Sequence, residues 1–333
     1  MRLLLLLACA LPLLAIAAYL WLRTPGSVEW WIPPGSSTRA ALEIAARSSS
    51  VRFPQLFVAL GLAYARLTGS TVYAGTHQLE GRRRYGELLQ ALFSGTYVRR
   101  VRLTIPEGLT VEQIASLLQR KAGVDSARFV ALAFSDSLAR RWGIPIASVE
   151  GYLMPDTYEF FWRHPAEDVL ERLLRAQAQL WERRFRPYAE QRGISRHEAL
   201  TLASIIEAET PHADERHRIS GVFWNRLRRG MPLQADPTTA YALGKPGRPL
   251  SRSELRFPHP YNTYTVTGLP PGPINNPGAS AIEAALMPEE HDFLYFVLRP
   301  DSSRRHVFSR TYREHRRAVA ARHLLYTGST RAY

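Results

Sequence analysis

The chain has 333 residues, more than one small module needs and enough for two or three compact domains at about 100–150 residues each. Its 43 Lys+Arg against 29 Asp+Glu give a formal net charge of +14, yet 46% of the residues are hydrophobic and 11% aromatic, which excludes wholesale disorder. The excess charge is almost wholly arginine, Lys121 and Lys245 being the two lysines; it favours anionic surroundings without specifying fold or chemistry. With Cys9 as the single cysteine, an intrachain disulfide is excluded.

Residues 3–22, LLLLLACALPLLAIAAYLWL, carry no charge, and twenty helical residues at ~1.5 Å each reach ~30 Å, one bilayer core. The run exceeds the ~7–15-residue core of a signal peptide and ends without an A-x-A site, so a transmembrane anchor over residues 1–23 is expected. Arg2 and Arg23 flank it, and charge bias leans weakly toward a two-residue cytoplasmic end with the rest of the chain outside.

Two segments after the anchor start alike: Ile32-Pro33-Pro34-Gly35 followed by Ser36, Ser37 and Thr38, and Ile105-Pro106-Glu107-Gly108 followed by Thr110 and Gln113. Each reads as strand, glycine turn and capped helix, the second with a capping box and with Ile114, Leu117 and Leu118 at helical spacing. Between them the pattern predicts a strand over 70–79, interrupted at Ala74-Gly75, and a helix over 85–93 with Leu88, Leu89, Leu92 and Phe93 inward. Small αβ units thus fill 27–150. A junction, Glu150 to Phe160, leads to an Arg-rich helix over 165–185. Ser195 with Glu198 opens a helix that must end near Thr210, because Pro211 disfavours helical geometry before it. A second helix is predicted over 214–229 with Gly230 beyond its end, then long loops holding Gln234, Asp236 and the run 261–278. Helix 279–286, strands 293–298 and 306–308, and a helix capped by Thr311 with Glu314 complete an α+β chain.

The helical wheel singles out one acid. With Leu202 at 0°, Ile205 falls at about −60°, Ile206 at about +40° and Glu209 at about −20°, whereas Glu207 falls at about 140° on the solvent side. Glu209 therefore continues the apolar face, where desolvation raises a carboxyl pKa and lets it hold a proton for donation. A buried ion pair with Arg226 accounts equally well for such a residue. Glu207 and Glu209 diverge too far to flank one glycosidic bond as a pair at ~5–9.5 Å. Asp236 supplies a second group, or the substrate's own hydroxyl attacks and one residue serves as acid and then base. Tyr261, Asn262 and Tyr264 offer flat faces and amide hydrogen bonds for a sugar. His212, Asp214 and His217 match no trusted metal spacing. Phosphate-loop, dinucleotide and nucleophile-elbow motifs are absent from the sequence, and short Arg runs without interleaved aromatics argue against nucleic acid.

The segments Glu150-Gly151-Tyr152-Leu153-Met154-Pro155-Asp156-Thr157-Tyr158, Leu202 through Thr210, Asn225-Arg226-Leu227, Leu233 through Thr238, Tyr261-Asn262-Thr263-Tyr264 and Gly268-Leu269-Pro270-Pro271-Gly272 resemble, in order, the endolytic murein transglycosylase (YceG-like) family. The resemblance implies an anchor at 1–23, a LysM-like αβ region at 27–150 and a catalytic domain at 151–326. It implies a single-pass inner-membrane enzyme with an extracytoplasmic body, cleaving the MurNAc–GlcNAc bond of nascent peptidoglycan without water to leave 1,6-anhydromuramyl ends and so terminate glycan strands. The family's catalytic glutamate falls on Glu209, with Glu207 the alternative register. Gln234, Asp236, Asn262 and Tyr264 are the expected substrate contacts. No cofactor or metal is implied. Expected partners are glycan strands, membrane lipid through residues 3–22, and cell-wall synthases, with no nucleic acid. A tethered glycan-binding scaffold and an ordinary hydrolytic muramidase are the competing readings.

Overall fold

The computed structural model describes residues 26–48 and 51–329; the anchor expected at residues 3–22 lies outside them. Among the described residues, no helix is long and apolar enough to cross a membrane. The chain divides into two compact units. The first runs through Leu103 and takes in Lys121–Val124 and Glu159–His164; the second comprises Thr104–Arg120, Asp125–Tyr158 and the chain from Pro165 onward.

In the first unit, strand β1 (Val28–Ile32) turns Val28, Trp30 and Ile32 inward, the period of two expected of a half-buried strand. It pairs antiparallel with β2 (Gly75–Leu79), Val28 opposite Leu79 and Ile32 opposite Gly75. Helices α1 (Thr38–Ala46), α2 (Pro54–Thr68) and α3 (Tyr85–Ser94) close a core of Trp30, Leu42, Phe57, Tyr85, Leu88 and Leu92. The Ser37 side chain caps α1 by accepting from the Ala40 amide at 3.2 Å. The strand expected from residue 70 begins only at Gly75. There φ is +121°, and a Cβ would stand 2.6 Å from Phe161 and 2.7 Å from Val98, so the backbone packs too closely for any other residue. The chain passes between the units along β3 (Arg100–Thr104) and β4 (Thr157–Phe161), which form a second two-stranded sheet.

The second unit is mostly helical: α4 (Val111–Ala122), α5 (Ser126–Ala133), α6 (Asp136–Arg141), α7 (Ala166–Leu180), α8 (Arg186–Arg192), α9 (Arg196–Glu209), α10 (Ala213–Arg228), α11 (Asp236–Ala242), α12 (Ala279–Leu286) and α13 (Tyr312–Ser329). A hairpin of β5 (Tyr295–Leu298) and β6 (His306–Ser309) lies between the last two. The architecture is α+β, as expected. Helix α9 is its centre: every residue from Ala199 to Ile206 is buried, with α12 packed along it and α10 returning beside it.

The strand, turn and helix echo is realised twice, with glycines at φ +79° (Gly35) and +77° (Gly108). The two copies have different allegiances, because β1 and α1 belong to the first unit whereas Gly108 and the start of α4 belong to the second. The compact division falls at Leu103/Thr104. The backbone shows why: the Gly108 amide donates to the Asn276 carbonyl at 2.9 Å, and the Asn276 amide returns a bond to the Leu109 carbonyl at 2.9 Å.

Candidate active site

Helix α9 brings its C-terminal end to a cleft of about 590 Å³ in the second unit. The Ser195–Glu198 capping box starts the helix, and extended Thr210 (φ −144°, ψ 135°) before Pro211 stops it, so Glu209 is its last residue. The cleft is lined by Glu209, by Asp236 and Tyr241 of α11, by Gln113 of α4, and by Arg248 and Arg304 from two loops.

Glu209 is half-buried, and among the described residues no hydrogen bond or ion pair engages its carboxyl group. Burial first, and then the negative charge of Asp236, push its pKa up to about 8; the Arg226 charge opposes them. The alternative of an ion pair with Arg226 is not realised. That guanidinium donates to the Leu294 and Leu233 carbonyls, both at 2.7 Å, and lies over the Tyr295 ring. A carboxyl group that is desolvated, unpaired and open to a cleft holds its proton at neutral pH and can give it to a ligand.

Glu207 is not the solvent-side residue the wheel predicts. Its side chain is 7% exposed and forms an ion pair with the equally buried Arg216 at 2.7 Å, while accepting from the Gly278 amide at 3.0 Å. The reason is that α9 is enclosed on more than one face, so a residue far from the apolar stripe still meets protein. Burial raises its pKa, Arg216 opposing, and Glu107 adds a second contact to Arg216 at 3.4 Å. Glu207 thus ties α9, α10 and the start of α12 together, and its carboxylate is already occupied.

The expected substrate contacts separate. Asp236 is exposed as the first residue of α11 and accepts from the Tyr264 hydroxyl at 2.5 Å. Tyr264 is half-buried, and burial, Asp236 and Glu209 all push its hydroxyl pKa up, so it stays a donor. Glu209, Asp236 and Tyr264 therefore form one electrostatic group. Gln234 is exposed, but it does not line the cleft; it adopts φ +49° while its amide donates to the Thr263 carbonyl at 3.0 Å. Asn262 is fully buried, contrary to expectation. Its Oδ1 accepts from the Thr239 hydroxyl and the Tyr264 amide, and its Nδ2 donates to the Leu255 and Phe257 carbonyls. All its polar capacity goes into shaping the loop that carries Tyr264. His212, Asp214 and His217 are likewise engaged, with Ser303, Arg305 and Met287.

Sequence reasoning missed the buried network that holds the 273–277 loop, of which Ile274 and Asn275 line the cleft. Glu150 is fully buried at the start of α4, accepting from the Val111 amide at 3.2 and 3.1 Å and from Asn276 Nδ2 at 2.8 Å. Burial pushes its pKa up to about 8, against those hydrogen bonds. Asn276 Oδ1 in turn accepts from the Gly151 and Leu153 amides, both at 2.9 Å. At Gly151, φ is +84° and a Cβ would lie 2.3 Å from Pro273, so this crossing of two loops requires glycine. Ser204 Oγ accepts from the Ile274 amide and Asn275 Nδ2 donates to the Ser204 carbonyl, pinning the same loop to α9. Adjacent asparagines between Pro273 and Pro277 are the one local hint of this network.

A YceG-like family model matches residues 30–321. A Bacillus subtilis (strain 168) protein named endolytic murein transglycosylase is 32% identical over 305 residues, covering 86% of this chain and 82% of that protein. A Streptococcus pneumoniae protein of the same name (serotype 2, strain D39) is 32% identical over 223 residues, 59% of this chain and 40% of that protein. The crystal structure of a yceG-like protein from Listeria monocytogenes superposes with a TM-score of 0.60 at 31% identity, covering 87% of this chain and 98% of that one. The match extends over most of the chain, and the chain belongs to the YceG-like family.

Proposed function

We propose that the protein is an endolytic peptidoglycan lytic transglycosylase with Glu209 as its acid and base. The observation that carries this reading is the unpartnered Glu209 carboxyl, held protonated to about pH 8 at the wall of an open cleft. In the first half-reaction Glu209 donates its proton to the glycosidic oxygen leaving C1 of N-acetylmuramic acid, and positive charge develops at the sugar ring. In the second, the Glu209 carboxylate takes the proton of the muramyl 6-hydroxyl as that oxygen closes onto C1, giving the 1,6-anhydro end and returning Glu209 to its starting state. The charge of Asp236, accepting from Tyr264, favours the protonated Glu209, and in the reaction it stabilises the cationic sugar. No water is consumed and no cofactor enters. The names of the Bacillus and Streptococcus relatives support this substrate and reaction.

The finer reading follows from the sequence: anchoring through residues 3–22, an extracytoplasmic body, glycan contacts from a LysM-like region within 27–150, and action beside cell-wall synthases to terminate nascent strands. Product analysis of purified peptidoglycan tests the core of it. Anhydro-ended glycan without incorporation of labelled water is expected, and Glu209→Gln removes it. Reducing ends carrying label would establish a muramidase instead, and strand binding without new ends a scaffold.

A further inference from the structure

The cleft holds two arginines that the proposed chemistry does not use. Arg248, on the loop after α11, and Arg304, at the tip of the β5–β6 hairpin, are both exposed and both line the cleft of Glu209. Neither guanidinium has an ion pair or hydrogen bond among the described residues. Their neighbours differ. Arg216 is paired with Glu207, Arg226 is spent on two carbonyls, and Arg305 is paired with Asp214 at 2.6 Å.

Arg304 is also presented by a built support. On one side of it the Ser303 carbonyl accepts from His212 Nε2 at 2.7 Å; on the other, Arg305 holds Asp214, and the His306 amide donates to Glu215 at 3.1 Å. The partners all belong to the segment that directly follows Glu209 into α10. Between these anchors Arg304 takes the left-handed backbone, φ +55°, which a non-glycine residue adopts only when its surroundings impose it. The hairpin tip is therefore fixed to the catalytic helix's own continuation while the Arg304 guanidinium stays free at the cleft.

Free guanidiniums at a cleft select anions with planar, two-oxygen geometry. The glycan backbone of peptidoglycan is neutral, its hydroxyl and acetamido groups carrying no charge; its negative charges sit on the carboxylates of the peptide stems. We propose that Arg248 and Arg304 bind stem-peptide carboxylates beside the scissile bond, so that the enzyme reads the charge of the stem as well as the sugar. The inference rests on the transglycosylase reading and specifies its substrate further.

The test uses glycan strands free of any lipid carrier, so that a pyrophosphate cannot contribute, with stem carboxylates either intact or converted to carboxamides. The wild-type protein is expected to favour intact strands by about tenfold in kcat/KM, the worth of two exposed charge-assisted contacts. In the Arg248→Gln/Arg304→Gln double variant that ratio falls to near one, and the double lysine variant recovers part of it. A second arm measures binding alone, by titrating both kinds of strand into Glu209→Gln with and without the two arginine substitutions. There the same preference and its loss are expected. A wild-type ratio near one, or a preference that survives both substitutions, overturns the proposal. Absence of cleavage with a binding preference that depends on the arginines leaves the stem site standing and rejects the catalytic reading instead.

Discussion

A buried carboxyl group kept for its chemistry should cost stability, and Glu209→Gln measures that cost. The substitution keeps the shape and removes only the ionisation. In the fold the Glu209 pKa is about 8, against an ordinary 4.5, because burial and Asp236 disfavour the anion by more than the Arg226 charge favours it. The raised folded value means that the wild type suffers nothing below about pH 4.5. It loses stability as pH rises from there through about 8, and the loss is complete above that. Worked at pH 7, the linkage amounts to about 3 kcal/mol for a shift fully expressed in solution, and about 1–3 kcal/mol once screening through the open cleft is allowed for. Glu209→Gln should therefore be more stable than the wild type by that amount at pH 7–8, a gain of a few degrees in Tm, and equal to it near pH 4. Glu150, whose pKa is also about 8, is common to both proteins and cancels. Thermal or denaturant unfolding of the pair across pH 4–9 is the assay. A variant less stable than the wild type at pH 7.5, or a difference that does not change with pH, would refute the view of Glu209 as an uncompensated buried acid.

The same protonation governs rate: kcat/KM for anhydro-end release should be level at neutral pH and fall about tenfold per pH unit above about 8, and a descending limb near pH 5 would contradict it. Glu207→Gln should lower stability by about 2–4 kcal/mol at neutral pH, since it leaves the buried Arg216 with only the longer contact to Glu107; double-mutant analysis with Arg216 locates the loss. Asn262→Ala should cost about 2–4 kcal/mol by leaving two donors and two carbonyls of its loop unpaired, so its activity and its Tm fall together, whereas a substrate contact would lower activity alone.

Helix α9 is largely legible in the sequence because its signals are local. The Ser195–Glu198 box, the apolar spacing and Pro211 set both of its ends and delivered Glu209 to the last turn. The duplicated strand, glycine turn and helix was legible for the same reason. Errors came where distant chain decides. A helical wheel turns Glu207 toward solvent because it holds one helix, while its partners Arg216 and Gly278 come from α10 and the start of α12. Buried and exposed asparagines look alike in sequence, so only the meeting of Thr239, Leu255 and Phe257 around Asn262 reveals its place in the loop. The sequence places Asp236 in a long loop, yet proline in the first turn of a helix loses no intrahelical bond, and here Pro237 helps open helix α11. Glu150 and Asn276 are joined across 126 residues of sequence, which no local pattern encodes.

Asp236 decides between one-carboxylate and two-carboxylate chemistry. A hydrolase needs its second acid free to activate water, but Asp236 accepts the Tyr264 hydroxyl at 2.5 Å, the short geometry of a charge-assisted bond. In the proposed reaction it acts through its charge, adding to burial in holding the proton on Glu209 and stabilising the cationic sugar. Two consequences separate this role from that of a base. Asp236→Asn removes the repulsion that helps raise the Glu209 pKa, so the descending limb of the rate profile should move to lower pH, with kcat reduced but anhydro ends still the product. Tyr264→Phe leaves the carboxylate in place without its donor and should shift the limb far less. If Asp236→Asn instead abolishes turnover, and the wild type incorporates labelled water, the second carboxylate is a base and the enzyme hydrolyses its substrate.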